Sequence, residues 1–215
     1  LYRAKSAVVV GDPNQLTMIN NLGAREERAL LENYGLYRSG IGRFAQGHTT
    51  LFDLSASAGE ARRFMLTEHF RCHPDIVGYI NEAFYGRRLV ALTDRQRLRI
   101  PQGMPPGLHW SNVTGSVRSR TRSSNVTGSA ASHSEADAVV DELRRLTESG
   151  YEGTIGVVSF FDYQAKEIAS RISHQIPQAA QDLHRIKVFT ANKFQGDERD
   201  VMFLSLCLGR DMPSG

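Results

Sequence analysis

The amino-acid sequence predicts an α/β fold built on a parallel sheet. Apolar runs of strand length cover residues 154–159, 186–190 and 200–206, and amphipathic stretches of helix length precede the first run and separate it from the second. Alternating strands and helices are typical of parallel sheets with right-handed crossovers. Ligands of such sheets gather at the carboxyl ends of the strands, which directs attention to Gly11, Ser159 and Thr190.

Two further strands are expected in the first third of the chain. Residues 6–10 form a short apolar run that ends at a glycine, a pattern that predicts a buried parallel strand. Residues 64–66 predict the next strand. The segment between them, over 39–60, is rich in Gly, Ser and Thr and gives no clear pattern.

Two helices accompany these strands. The first is expected over 26–34, with Leu30 and Leu31 facing inward. The second begins at Pro74, a residue favoured in the first helical turn, and ends at Gly86. Its apolar residues recur at helical spacing: Ile76, Val77, Ile80 and Phe84.

A segment of different composition follows at 101–133. Prolines come first, then Ser, Thr, Asn, Gly and Arg, and one hexamer occurs at both 111–116 and 124–129. The spacing fits either two similar strands joined as a hairpin or a loop. Three arginines lie between the copies, and such a charge run favours a solvated loop over one that contacts phosphate: Arg118, Arg120 and Arg122.

Two amphipathic helices belong to the regular second half. Ser132 or Ser134 can cap the first, because an acidic side chain follows three residues later. Its predicted buried stripe is Ala136, Val139, Val140, Leu143 and Leu146. The second helix, over 162–173, is expected to face inward through Ala165, Ile168, Ala169 and Ile172.

Composition sets broad limits on function. Hydrophobic residues make up 40% and charged residues 23% of 215 residues, which is ordinary for a soluble globular protein. The net charge of +3 permits an anionic partner without requiring one. Two isolated cysteines, Cys72 and Cys207, predict neither a disulfide framework nor a metal site and favour a cytoplasmic setting. No apolar run approaches the roughly 18 residues of a membrane span.

The segment Gly11-Asp12-Pro13-Asn14-Gln15-Leu16 directly follows the first predicted strand. Gly11 allows a sharp turn, which presents Asp12 and Gln15 at the strand end. An amide such as that of Gln15 can donate to a phosphate oxygen or orient a water. The alternative is an ordinary turn in which Asp12 caps the local backbone.

The segment His69-Phe70-Arg71-Cys72-His73-Pro74 leads into a helix. The planar guanidinium of Arg71 can stabilise charge on a phosphoryl group in transfer. The alternative is a surface arginine paired with Glu68 or Asp75. His69 and His73 have no further ligands at the spacing of a zinc site, so no metal is expected there.

Two polar segments follow strands of the second half. Ser159-Phe-Phe-Asp-Tyr-Gln164 opens a helix whose first amides can hold phosphate, and its aromatic rings either stack on bases or join the core. Thr190-Ala-Asn-Lys-Phe-Gln-Gly-Asp-Glu-Arg-Asp200 offers the hydroxyl and amide of Thr190 to a phosphate. Gly196 lets the backbone approach a ligand, and Glu198 can bind a ribose hydroxyl or fix an arginine.

These four segments, in this order, resemble the motifs of superfamily 1 helicases, especially the Upf-like branch. The family pattern has Gly-Asp-x-x-Gln-Leu, an aromatic-Arg-x-His-Pro turn with a trailing Asn and Phe-Tyr, a strand ending in Thr or Ser, and Thr-x-x-x-x-Gln-Gly-x-Glu-x-Asp. The trailing residues here are Asn81 and Phe84-Tyr85. The resemblance implies RecA-like domains, ATP as substrate with Mg²⁺ in the full-length protein, and single-stranded DNA or RNA as partner.

The resemblance also implies roles for individual residues. Gln15 is the counterpart of the residue that senses the γ-phosphate of ATP, beside Gly11 and Asp12 in the nucleotide site. Arg71 corresponds to an arginine that reaches the γ-phosphate from the second RecA-like domain, and Gly196 and Glu198 to a loop that meets the nucleotide. The residues implied to hold the single strand are Ser159, Thr190, Asn192 and Gln164.

The resemblance divides the chain at residue 60. Residues 1–60 are expected to be the tail of a first RecA-like domain, and 61–215 most of a second, with 100–133 an insertion or hairpin. Both ends look cut from a longer, monomeric motor. The loop Gly-x-x-x-x-Gly-Lys-Ser/Thr, which cradles phosphates, occurs nowhere in the sequence. The fragment is therefore expected to bind no ATP or Mg²⁺ and to hydrolyse no ATP by itself.

Two other functions stay open from the sequence. One is a non-catalytic nucleic-acid-binding or scaffolding module that derives from a helicase. The other is the helicase part of a helicase–nuclease fusion. The residues upstream of Leu1 and outside the 215 residues discriminate among the three, through a lysine-bearing phosphate loop or an added acidic domain.

Overall fold

A computed structural model describes residues 5–16, 22–36, 49–57, 62–120 and 129–207. Within these ranges the helices are α1 (Ala24–Asn33), α2 (Leu51–Ser57), α3 (Pro74–Phe84), α4 (His133–Glu148), α5 (Asp162–Gln175), α6 (Gln178–Leu183) and α7 (Ala191–Phe194). The strands are β1 (Glu68–His69), β2 (Val90–Ala91), β3 (Arg118–Arg120), β4 (Ser129–Ala131), β5 (Ile155–Ser159), β6 (Lys187–Thr190) and β7 (Val201–Ser205). A short 3₁₀ turn covers Arg95–Arg97.

The described residues form two compact units. The first contains the residues up to Thr67 together with Phe84–Arg88, and the second contains the rest. In the second unit β5 is the central strand of a three-stranded sheet, in the order β6-β5-β7, and both of its pairings are parallel. This confirms the predicted α/β fold with a parallel sheet, and the arrangement is consistent with a RecA-like domain.

Helix α4 supplies much of the core of the second unit. It begins after Ser132, whose Oγ accepts a hydrogen bond from the backbone amide of Glu135 at 3.3 Å. All five residues of the predicted stripe are buried, from Ala136 to Leu146. They pack with apolar residues of β5 and α5, including Val157 and Ile168. The 3.6-residue period was sufficient to identify this face.

Helix α5 differs from its predicted pattern at one position. Ala165, Ile168 and Ile172 are buried as predicted, but Ala169 is exposed, and the polar Gln164 is buried instead. A polar side chain is tolerated in that position because its hydrogen-bonding groups are all engaged, as described below.

Two strands predicted in the first unit are wrong. Residues 6–10 form no strand, and Val8 and Val10 are 91% and 85% exposed. Residues 64–66 are also outside any strand, and β1 begins only at Glu68. A strand requires a neighbour for its backbone hydrogen bonds, and the described residues provide none for either run.

Helix α1 lies close to its predicted position but does not bury Leu30, which is 44% exposed, whereas Leu31 is partly buried. Helix α2 lies in the segment that gave no clear pattern. Two reciprocal hydrogen bonds cap its start: the Oγ1 of Thr50 accepts from the backbone amide of Asp53 and donates to the Asp53 carboxylate.

The segment over 100–133 contains an antiparallel pair. Strand β3 pairs with β4 in the register Arg118↔Ala131 and Arg120↔Ser129. A hairpin was one of the two predicted possibilities, but the strands lie just after the first hexamer and at the end of the second. Arg122 and the rest of 121–128 lie outside the described residues.

No helix in the described part of the chain has the length and apolar character needed to cross a membrane. Cys72 and Cys207 are both free thiols.

Candidate functional site

Three hydroxyl-bearing residues meet at the carboxyl ends of the three-stranded sheet. Ser159 at the end of β5 is the register partner of Thr190 in β6 and of Ser205 in β7. Thr190 is partly exposed, whereas Ser159 and Ser205 are buried. The sheet thus brings together two sequence-predicted site residues and adds Ser205, which the motif analysis missed.

Gln164 lies beneath this edge with 0% exposure. Its Oε1 accepts from the Ser132 amide at 2.8 Å, and its Nε2 donates to the Ser132 carbonyl at 3.2 Å and to Ser205 Oγ at 3.0 Å. Ser159 is 1% exposed, and its Oγ accepts from the Phe161 amide at 3.2 Å. The family resemblance implies that Gln164 and Ser159 contact the nucleic-acid strand directly, whereas the structure buries both side chains, where they position their neighbours instead.

The segment after β6 turns at once into the short helix α7. Thr190 is the residue that precedes this helix, and its side chain makes no capping hydrogen bond. Asn192 and Lys193 are exposed on α7, and Lys193 Nζ lies 3.8 Å from the Asp162 carboxylate at the start of α5. The exposed polar face of α7 therefore lies beside the first turn of α5.

The motif from Thr190 to Asp200 is anchored on β5 by an aromatic side chain. Phe194 is buried and lies close over Gly156, where an added Cβ would be only 2.7 Å from Phe194 Cζ. The guanidinium carbon of Arg199 lies 5.6 Å from the centre of the Phe194 ring. Only glycine leaves room for this arrangement at position 156.

Charged contacts hold the second half of the same motif. Asp197 accepts from Lys187 Nζ at 2.9 Å and from Arg199 Nη1 at 2.6 Å. These two donors and the Glu198 amide hold the pKa of the Asp197 carboxyl well below its usual value. Asp200 accepts from both the amide and the hydroxyl of Thr154, each at 2.7 Å. The loop is therefore fixed along its length.

The fixed loop brings Glu198 to Arg71. Arg71 Nε lies 2.5 Å from Glu198 Oε2, and both side chains are more than half exposed. Of the pairings considered for Arg71, the structure shows the one in which Glu198 fixes the arginine, rather than a pair with Glu68 or Asp75. Gly196, two residues before Glu198, has φ +85° and has open space where a side chain would be.

The turn that carries Arg71 is held on both sides. The Cys72 amide donates to His69 Nε2 at 2.9 Å, and the Thr93 hydroxyl donates to the Cys72 carbonyl at 2.7 Å. Burial, assisted by the nearby Arg71 charge, lowers the pKa of His69. Burial also raises the pKa of the Cys72 thiol. His69 is thus a structural acceptor in this turn.

The Gly11–Gln15 segment lies in the first unit and forms a local turn. The carboxylate of Asp12 accepts from the Asn14 amide at 3.0 Å and from Gln15 Nε2 at 2.9 Å. This is the ordinary capping turn considered as the alternative, and it also fixes the Gln15 amide. A Cβ at Gly11 would lie 2.6 Å from the ring of Phe52, so close packing requires glycine there.

Tyr85 completes this turn, and sequence reasoning assigned it no role. Its hydroxyl donates to the Asp12 carboxylate at 2.5 Å. Burial would raise the pKa of Asp12, but the hydrogen bonds from Tyr85, Asn14 and Gln15 outweigh it, and the pKa of Asp12 is lowered. Burial and Asp12 raise the pKa of Tyr85 to about 12. The Phe84-Tyr85 pair in the motif was the available signal.

Across the described ranges, no three His, Cys, Asp or Glu side chains converge on a possible metal site.

Comparison with known proteins agrees with the motifs. The family described as AAA domain matches residues 48–211. The chain is 28% identical over 207 residues to the mouse (Mus musculus) 5'-3' DNA helicase ZGRF1, covering 95% of this chain and 10% of that protein. It is 26% identical over 210 residues to helicase sen1 of Schizosaccharomyces pombe, covering 95% of this chain and 11% of that protein. The chain thus spans about a tenth of the length of these relatives.

The parallel sheet, the fixed loop with its Arg71–Glu198 pair, and a family match over most of the chain agree with one another. This chain belongs to the AAA domain family, and its motifs and relatives identify it as a region of the superfamily 1, Upf-like helicase type.

Proposed function

We propose that this chain supplies one wall of the ATP site and part of the single-strand track of an ATP-dependent nucleic-acid translocase. The Arg71–Glu198 ion pair is the observation that carries the proposal. It joins two motifs that are distant in sequence and that the family resemblance assigns to the same nucleotide. The domain division near residue 60 belongs to the same proposal.

The nucleotide side consists of exposed, charged groups that are already oriented. Arg71 is held by its turn and by Glu198, and both side chains remain open to solvent. A guanidinium fixed in this way can meet a γ-phosphate without a large loss of side-chain freedom. Glu198 keeps the arginine in place until nucleotide arrives and then accepts from a ribose hydroxyl or stays paired. The family resemblance also assigns Gln15, Gly11 and Asp12 to nucleotide binding.

The part of the chain proposed to bind the nucleic-acid strand consists of exposed residues at the carboxyl ends of the sheet's β-strands. The hydroxyl of Thr190 makes no capping hydrogen bond to α7, and Asn192 is exposed two residues further on. These groups hold the backbone of a single nucleic-acid strand. Beneath them, the buried side chains of Ser159 and Gln164 keep the ends of β5 and β7 aligned. One short loop therefore contacts the strand at Thr190 and the nucleotide at Glu198, which is the physical basis for coupling the two ligands.

Equilibrium binding of a labelled single strand by the 215-residue chain tests the strand side. We expect affinity to fall as salt rises, because phosphate contacts release counterions, and to fall further in Thr190→Ala. Asn112→Ala, in the exposed segment before β3, serves as a control and should bind as the wild type does. Binding that is absent, or that does not depend on salt, contradicts the proposal.

Turnover by the same purified chain tests the division of labour. Because the sequence contains no lysine-bearing phosphate loop, we expect no ATP hydrolysis above background, with or without nucleic acid. Nucleic-acid-stimulated hydrolysis by the chain alone contradicts this part of the proposal.

A further inference from the structure

The side chain of Phe160 lies directly beyond the carboxyl end of β5, and the residue is 67% exposed. The neighbouring aromatic residues of the same motif, Phe161 and Tyr163, are partly buried. Of the three aromatic rings that could join either the core or a ligand, Phe160 is therefore the one that remains open. A phenyl ring left in water forgoes about 2 kcal/mol of burial energy, part of which a stacked nucleobase would recover.

Polar groups suited to a nucleic-acid backbone lie along the same edge. Ser159, which precedes Phe160, is the register partner of Thr190. Lys193 Nζ on α7 lies 3.8 Å from the carboxylate of Asp162, which comes two residues after Phe160 at the start of α5. An aromatic ring flanked by hydrogen-bond donors and a cation is the combination with which proteins hold single strands.

The other exposed aromatic residues that the structure describes in the second unit do not share this setting: Phe70 lies beside Arg71, and Phe189 is a residue of β6 whose ring centre lies 6.4 Å from that of Phe194. Tyr79 lies on α3, and Trp110 lies in the extended segment before β3, where its Nε1 donates to Asn112 at 2.8 Å. Neither follows a strand of the three-stranded sheet. The placement of Phe160, rather than its exposure alone, distinguishes it.

We infer that Phe160 is a nucleobase-binding residue on which one unpaired base of the strand stacks, while Thr190 and Asn192 hold the adjacent backbone. This inference rests on the proposed function and adds a contact to the base where that proposal has contacts only to the backbone. Every base has a π face, so the stacking site accepts both purines and pyrimidines.

The test compares intact and abasic single strands on the 215-residue chain. We expect Phe160→Ala to weaken binding of intact oligothymidylate about tenfold, because the stacking contact is lost. The dependence of affinity on salt should stay unchanged, because no phosphate contact is lost. An abasic strand should bind wild type and Phe160→Ala equally. Phe160→Trp should restore the affinity, whereas Phe160→Leu, which keeps apolar bulk without a π face, should not.

A matched control is Leu183→Ala, which removes an exposed apolar side chain from α6, the helix before the amino end of β6. It should bind as the wild type does, and thermal unfolding checks that every variant is folded. Equal binding of intact strands by wild type and Phe160→Ala overturns the stacking role while leaving the proposed function intact. If wild type binds no single strand at all, the proposed function and this inference both fail.

Discussion

At the residue scale, the amide of Gln164 joins three parts of the second unit. It bonds to both backbone groups of Ser132, the residue that caps α4, and to the hydroxyl of Ser205 at the end of β7. The side chain is fully buried, so water cannot replace any of these bonds. A buried amide with complete hydrogen bonding specifies a single arrangement of the elements around it.

We therefore expect Gln164→Ala to lower the free energy of unfolding by about 3 kcal/mol, because buried donors and acceptors lose their partners. Gln175→Ala, on the exposed end of the same helix, is the control and should change it by less than about 0.5 kcal/mol. Urea unfolding measures both values. Equal effects of the two substitutions would show that the buried network contributes little.

Asp197 gives this molecule an acid-sensitive contact. Lys187 and Arg199 donate to its carboxylate and hold its pKa far below the usual value, so the folded state keeps the charge that the unfolded chain loses near pH 4. The contact therefore stabilises the fold above about pH 4, and the stabilisation is lost as the pH falls below that value. The melting temperatures of wild type and Asp197→Asn should differ most near neutral pH, and the difference should begin to shrink as the pH falls below about 4. A difference independent of pH would contradict the assignment.

At the element scale, the loop from Thr190 to Asp200 depends on a glycine in the neighbouring strand. A methyl group at Gly156 would lie 2.6 Å from Met202 Sδ and 2.7 Å from Phe194 Cζ. Gly156→Ala should therefore lower the free energy of unfolding by about 1–3 kcal/mol through overpacking.

The matched control is Gly78→Ala in α3, where a methyl group has open space. That substitution should raise the free energy of unfolding by up to about 1 kcal/mol, because alanine has a higher helix propensity than glycine and restricts the unfolded chain. Chemical denaturation of both variants provides the comparison. A neutral or stabilising effect of Gly156→Ala would mean that the loop is not seated on β5 as described.

The predictability of individual elements follows their length and their partners. The α4 stripe was predicted completely, since four turns of regular spacing leave little ambiguity. The short helices α2, α6 and α7 were missed because one or two turns give too little periodicity to recognise. The runs at 6–10 and 64–66 have strand composition, yet a strand exists only where a neighbour supplies its hydrogen bonds.

In the candidate site, too, local motifs could be recognised from the sequence, whereas contacts between distant segments could not. Sequence motifs predicted Arg71, Glu198 and Thr190 as candidate site residues, and the fold places the side chains of the first two in contact. The burial of Gln164 and Ser159 could not be read from the motif, because a polar residue beyond a strand can face either the ligand or the interior. That choice is made by packing among α4, α5 and β7, which are separated in sequence.

At the scale of the whole molecule, the chain is a helicase segment that spans about a tenth of its relatives. We propose that Arg71, oriented by Glu198, acts on ATP in the complete protein. Arg71→Lys keeps the positive charge but loses the planar fork, so it tests geometry rather than charge alone.

The most direct measurement is nucleic-acid-stimulated ATP hydrolysis by the complete protein that carries this chain. We predict that Arg71→Lys lowers kcat by about a hundredfold or more while leaving single-strand affinity without nucleotide unchanged. Arg97→Ala, an exposed arginine paired with Asp94, is the control and should retain full activity. A kcat for Arg71→Lys equal to that of the wild type would contradict the account.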